Sequence, residues 1–304
     1  MVACYHFAMF HWQLNKNTIG LIEAVASGIG FGLLGVLVKA AFAVGFSPGE
    51  HLALRFLCGA CLLWTFNLLN PRIKAVLPWR DGVVCLLLGV FGYAVFSSCY
   101  FAALNGLSVS MTVLLLYTYP VLVTCGAWLF FRQKPSTRKL ISLPVMLLGL
   151  LLLVWGEFTV GNPLALSFAV AAPILYAGYI LFSSKFIDHI NPIVAVAYIQ
   201  SGAAMVLSMV YLNDLDRTMG LIENYWYLIG SVAVFCTVLP MLLFLSSLQK
   251  LPASTVSMLS TTEPIAGIIA ASLILNERLS AVQAVGAVII VAVLIYSSKA
   301  SKSA

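Results

Sequence analysis

Glu263 lies about half-way along an apolar stretch of the chain and directly precedes Pro264. A carboxylate at such a position is costly unless it is protonated, paired or facing water. The chemistry it offers is binding of a cationic or amino group, or uptake of a proton. Pro264 cannot donate a helix hydrogen bond, so it is expected to kink or unwind the backbone beside the carboxylate. On an ideal helix Glu263 projects about 160° away from Thr261, at 100° per residue. It therefore joins the polar stripe of Ser254, Ser257 and Thr261 only if the kink rotates it. A structural role competes, in which Glu263 caps backbone groups at the kink or pairs with Arg55. Arg55 is the second charge within an apolar run. Its guanidinium suits bidentate contact with a substrate carboxylate, against snorkelling or pairing with an acid such as Glu50. Glu23 stands near one entrance, as a possible charge or proton site that guards it.

Tyrosines supply a second set of candidates. Tyr93, Ser97 and Tyr100 fall at i, i+4 and i+7, and Ala172, Tyr176, Tyr179 and Ser183 share a face in the same way. Tyr117 and Tyr119 precede Pro120, a second candidate kink. An aromatic body with a polar tip, several residues inside an apolar run, suits a cavity wall, and these tyrosines with Ser97, Ser257, Thr261 and Glu263 form the candidate substrate-binding set. For the hydroxyls of serine and threonine, bonding between helices or to their own backbone is the competing reading.

The elements that must position these residues are membrane spans. Of 304 residues, 62% are hydrophobic and only 9% charged, with a mean hydropathy of +1.04. Too few charges are present to cover a water-soluble surface, since soluble domains average about 25%. Continuous runs such as "LISLPVMLLGLLLLVW" choose helices over the alternating strands of a barrel. Ten spans are predicted, near Thr18 to Lys39, Gly49 to Leu69, Gly82 to Leu104, Leu107 to Phe131, Leu140 to Trp155, Pro163 to Ser184, Pro192 to Leu212, Asn224 to Leu248, Pro252 to Leu275, and Ala281 to Ser298.

Basic residues orient them. With the N-terminus inside, the cytoplasmic segments carry Lys16, Arg72, Lys74, Arg80, Arg132, Lys134, Arg138, Lys139, Lys185, Lys250, Lys299 and Lys302, while Lys39, Arg217 and Arg278 fall opposite. Both termini are then cytoplasmic in a multi-pass protein of the cell membrane, the inner membrane in a Gram-negative bacterium. The net charge of +6 is thus topological, and no nucleic-acid partner is expected. Residues 1–17 read as a cytoplasmic lead-in and 299–304 as a cytoplasmic tail. Cys58 and Cys61 form a CxxC within one span, where packing outweighs metal binding. No metal or cofactor is expected.

The chain also repeats itself. An offset of 144 places Leu104 over Leu248, Leu107 over Leu251, Ser110 over Ser254 and Pro120 over Pro264. A similar offset joins Gly32 to Gly178 and Lys39 to Lys185, and a two-residue slip brings Pro48 over Pro192. Two units follow, 18–156 and 157–298, each with five spans. Five is odd, so tandem copies must cross the membrane in opposite senses, an inverted repeat with its binding site near the midplane between the halves. The fold class is all-α integral membrane, ten transmembrane helices as two inverted five-helix repeats. That architecture implies a carrier working by alternating access, with the bilayer and a small-molecule substrate as partners and no oligomeric state specified. Gly28, Gly32 and Gly35 give the first span a small-residue face for close approach.

The first-span glycine face ending in Lys39, "SPGEHLALRF", "YFAAL", "YTYP", and "EP" with "NERLS" together resemble the EamA-type ten-helix branch of the drug/metabolite transporter superfamily, over essentially Thr18 to Ser298. The resemblance implies a secondary transporter, often an exporter of amino acids or other small metabolites. "RQKPS" departs from the pattern, with Gln133 where a glutamate commonly precedes the lysine, whereas the second half keeps Glu277. An ATP-driven pump would need a GxxxxGK[ST] loop, which is absent. An intramembrane enzyme acting on a lipid-linked substrate is the alternative, although HExxH and GxSxG are absent and Asp188 and His189 fall in a loop.

Overall fold

The computed structural model describes residues 15–156, 158, 162–275 and 279–298. Glu277, Arg278, Lys299 and Lys302, most of the lead-in and the whole of the tail lie outside the described residues. The described chain is all helical: α1 (Lys16–Ala43), α2 (Pro48–Leu69), α3 (Trp79–Leu104), α4 (Val109–Phe131), α5 (Thr137–Leu153), α6 (Pro163–Phe186), α7 (Pro192–Tyr211), α8 (Leu215–Leu248), α9 (Ala253–Leu275) and α10 (Ala281–Ser298). Eight of them are long and apolar enough to cross a bilayer, and α5 and α10 are shorter.

The helix starts are written locally. Pro48 and Pro192 both occupy the first turn, where a missing N–H costs nothing, so their repeat equivalence is a shared start signal. Ser47 and Glu50 close a reciprocal capping box on α2, and the side chain of Asn191 caps α7. Ser136 and Asn162 cap α5 and α6 in the same way.

Packing follows the duplication. α2 lies against α7, α5 against α10 and α4 against α9, each helix meeting its own counterpart. The remaining pairs come in twos: α1 on α8 matches α6 on α3, α1 on α9 matches α6 on α4, and α3 on α7 matches α8 on α2. Ten helices therefore form two inverted five-helix repeats. The loops after α2, α4, α6 and α8 share one end with the start of α1, and this end carries Arg72, Lys74, Arg132, Lys134 and Lys250. It is called the basic end below.

Three features differ from the sequence expectation. α8 begins at Leu215 instead of Asn224, because Asp214 caps an additional segment that joins the apolar part across a kink at Tyr225. Both α3 and α8 contain a π-helical stretch, Leu88–Val95 and Val234–Val238, at corresponding places in the two repeats. Such widened turns are rare and concentrate where helices serve a function. α4 breaks at Tyr117–Thr118 and α9 at Ser260–Thr261, in each case before the proline. Pro120 and Pro264 consequently sit in the first turn of the helical half that follows, where no backbone donor is required.

Candidate functional site

The two broken helices cross between the repeats, and the break in α9 presents Glu263. Backbone N–H of Glu263 donates to Ser260 O at 3.0 Å, so the residue begins the second half of the helix. Its placement depends on α1. A Cβ added at Gly32 would lie 2.4 Å from the carbonyl oxygen of Glu263, and one at Gly28 would lie 2.1 Å from Thr262 Oγ1. Only hydrogen at these two positions lets α1 seat against the break. Gly35, the third of the expected small-residue face, has nothing within 4 Å of such an atom.

Glu263 is half-buried, and the tyrosines of α3, α4 and α6 gather into one aromatic cluster. Tyr93 and Tyr179 meet edge to face at 4.9 Å between ring centroids, Tyr119 and Tyr176 at 4.8 Å, and Tyr117 lies 6.0 Å from Tyr119. Edge-to-face and offset geometries of this kind are worth about 0.5–1.5 kcal/mol per pair beyond area burial. Phe56, Phe96 and Phe244 complete the aromatic cluster, with Phe96 stacked on Tyr176 at 4.8 Å. Sequence reasoning missed these three, since a phenylalanine in an apolar span carries no polar signal.

The candidate residues separate into three groups. Tyr93, Tyr117, Tyr119, Tyr176 and Tyr179 are buried, with their rings packed on one another, while Tyr100 and Glu263 are half-buried. The hydroxyls of Tyr119 and Tyr179 have no hydrogen-bond partner within bonding distance. Ser257 and Thr261 are fully buried, and their hydroxyls donate to Ser254 O and Met258 O of their own helix. Ser97 is buried on α3 near the tyrosines of that helix.

Arg55 is 9% exposed, and its Nε has no hydrogen-bond partner. Glu50, the partner weighed from sequence, is engaged elsewhere: Arg217 Nη1 donates to its Oε1 at 2.7 Å, Thr218 Oγ1 at 3.3 Å, and the Ser47 N–H closes the capping box. No carboxylate lies within ion-pair distance of Arg55 among the described residues, and its guanidinium carbon lies 5.1 Å from the centroid of the Phe56 ring. A charged side chain within a membrane span is costly unless it is paired or faces water. Arg55, over the Phe56 ring at the edge of the aromatic cluster, and Glu263, at the break of α9, therefore offer opposite charges. That arrangement can recognise a solute carrying both a carboxylate and an amino group.

Charge also marks the two ends. At the basic end Lys250 Nζ donates to Glu23 Oε2 at 2.8 Å and Oε1 at 2.9 Å, tying α8 to α1, and Ser246 Oγ adds a bond to the same carboxylate at 3.0 Å. At the opposite end the Arg217–Glu50 pair ties α8 to α2. No group of three or more metal-ligating side chains occurs among the described residues.

Comparison with known proteins agrees with the geometry. The model of the EamA-like transporter family matches residues 18–155 and again 163–298, one match per repeat. The uncharacterized transporter YcbK of Bacillus subtilis (strain 168) is 26% identical over 283 residues, covering 90% of this chain and 91% of that protein. The uncharacterized transporter YxxF of the same organism is 23% identical over 284 residues, covering 91% and 88%. A solved crystal structure superposes with a TM-score of 0.77 at 14% identity, over 93% of this chain and 98% of the other, which establishes the likeness of fold.

Proposed function

The chain belongs to the EamA-like transporter family, and on that premise we propose that it carries a small metabolite, an amino acid or related organic solute, out of the cytoplasm by alternating access. Family membership makes it a multi-pass membrane protein of small-molecule transport and answers the enzyme alternative in favour of transport. The finer reading is supported by one combination: a half-buried carboxylate at the break of α9, a buried arginine on α2 whose Nε has no hydrogen-bond partner, and a cluster of buried tyrosines from α3, α4 and α6. Broken helices at the interface of inverted repeats are where carriers expose backbone and charge to a solute.

In this reading 18–156 and 157–298 are the units that rock against each other, and the basic end faces the cytoplasm with both termini. The membrane is the plasma membrane, or the inner membrane of a Gram-negative cell. Tyr93, Tyr100, Tyr117, Tyr119, Tyr176 and Tyr179 frame the solute, Ser97, Ser257 and Thr261 support their helices, and Pro120 and Pro264 hold the breaks. Glu263 takes the amino group or a proton, and Arg55 takes the carboxylate. The Glu23–Lys250 and Glu50–Arg217 pairs are suited to closing opposite ends in turn, because one ties the loop after α8 to α1 at the basic end and the other ties α8 to α2 at the opposite end.

Purified protein screened by thermal shift against a metabolite library identifies the solute, because a ligand of the folded state raises apparent stability. Uptake of that solute into proteoliposomes should saturate and should accelerate when the vesicles are preloaded with unlabelled solute. Linear flux without acceleration from the trans side would sink the carrier reading.

A further inference from the structure

A polar cavity lies at the basic end of the same two broken helices. Its volume is about 390 Å³, and its walls include Gln133, Lys134 and Lys139 beside Thr124 of α4 and Ser254 and Thr255 of α9. Thr124 follows Tyr119 by five residues, which at 1.5 Å per residue is about 8 Å along α4. Ser254 precedes Glu263 by nine residues on α9. The cavity therefore lies on the line that leads from the basic end to the tyrosine cluster.

Its chemistry is that of an unbalanced cation. Lys139 Nζ donates to Ser254 Oγ at 2.8 Å, spending one of its three donors on a neutral hydroxyl contributed by the other repeat. No carboxylate lies within ion-pair distance of Lys139 among the described residues. Thr255, 4% exposed, lines the same cavity, and its Oγ1 has no hydrogen-bond partner. Lys134 adds a second positive charge to the wall, and Gln133 is neutral where a carboxylate would cancel it. A partly desolvated ammonium with spare donors and an adjacent unpartnered hydroxyl is a recognition set for a small oxyanion.

We propose that this vestibule is an oxyanion subsite, in which Lys139 and the hydroxyls of Ser254 and Thr255 hold a carboxylate or phosphate group at the basic end. The inference rests on the transport reading for its purpose, which is to capture the anionic end of a solute before it reaches Glu263 and Arg55. Because Lys139 and Ser254 come from different repeats, an occupant there also bridges the two units that move. The same oxyanion chemistry is offered by a free anion and by the headgroup of an anionic lipid, and the test separates them.

The full-length protein in detergent is titrated with inorganic phosphate at matched ionic strength, and its Tm is followed. Phosphate should raise the Tm of the wild type. Lys139→Gln should raise the half-saturating concentration by about tenfold or more, the scale of one lost charge-assisted hydrogen bond, while Lys139→Arg retains the response and reports on folding. Gln133→Glu, on an exposed position, should also weaken the response by supplying the missing counter-charge. In a second arm, nanodiscs of phosphatidylglycerol are compared with phosphatidylcholine. Stabilisation by phosphatidylglycerol that Lys139→Gln removes, with no response to phosphate, assigns the subsite to a headgroup. Wild type, Lys139→Gln and Gln133→Glu behaving alike in both arms would overturn the subsite. Glu263→Gln should keep the phosphate response. A lost response with Glu263-dependent flux therefore counts against the vestibule alone, and a retained response with Glu263-independent flux counts against the Glu263 site alone.

Discussion

The fourth and ninth helices are copies of one design and present different side chains at their breaks. Each breaks a few residues before a proline, and each restarts as a helix that faces the other repeat. In α4 the first residue of the restart is Tyr119, 1% exposed, with its ring 4.8 Å from that of Tyr176. In α9 the corresponding position is Glu263, which is half-buried. Their neighbours differ too. Gly32 of α1 admits the backbone of Glu263 at a distance no side chain would allow, whereas its counterpart Gly178 of α6 has nothing within 4 Å. Duplication preserved the hinge and the packing scheme, and divergence placed the charge on one side.

The comparison can be broken or sharpened in order of effect. Glu263→Tyr makes α9 resemble α4, and proteoliposome flux of the identified solute should fall below about a tenth of wild type, a loss equivalent to about 1.4 kcal/mol or more. Gly32→Val forces a side chain into the carbonyl of Glu263, and overpacking of this kind costs about 1–3 kcal/mol. A clear drop in Tm should follow, while Gly178→Val should change it little. Tyr119→Phe removes a buried hydroxyl that has no partner, so stability should stay level or rise by about 1 kcal/mol, because an unsatisfied buried group carries a desolvation cost.

The smallest effect concerns how the repeats are latched at the basic end. His189, in the loop after α6, lies 3.3 Å from Asp81 of α3 and 3.3 Å from Asp188. Hydrogen bonds to Asp81 first, and then to Asp188, raise the histidine above its ordinary pKa of 6.5. The stabilisation it brings is complete below pH 6.5 and is lost as pH rises through the raised value. Tm should therefore decline slightly over that window in the wild type, and His189→Gln should flatten the profile.

Much of the fold is legible in the sequence because apolar length, basic loops and proline register are local or periodic signals. The five-span count turned the repeat into an inverted pair, and the mutual packing of α2 with α7 and α5 with α10 follows from it. The π-helical stretches of α3 and α8 leave no comparable trace, since the same apolar residues serve either hydrogen-bond register. The break in α9 precedes Pro264 instead of being centred on it, because a proline is best accommodated in the first turn of a helix. The tyrosines were visible as polar tips on helical faces, whereas Phe56, Phe96 and Phe244 were indistinguishable from lipid-facing side chains. The partner of Glu50 was the least readable feature. Arg217 lies in the segment at the start of α8, whose helical character depends on a cap and an ion pair.

The asymmetry between the two breaks is tested most directly by measuring solute flux in proteoliposomes for Glu263→Gln and Tyr119→Phe side by side. Each variant alters one polar group at an equivalent position. Flux should fall at least about tenfold in Glu263→Gln and stay within about twofold of wild type in Tyr119→Phe. Equal flux in the two variants, whether both normal or both lost, would contradict the assignment of the chemistry to α9.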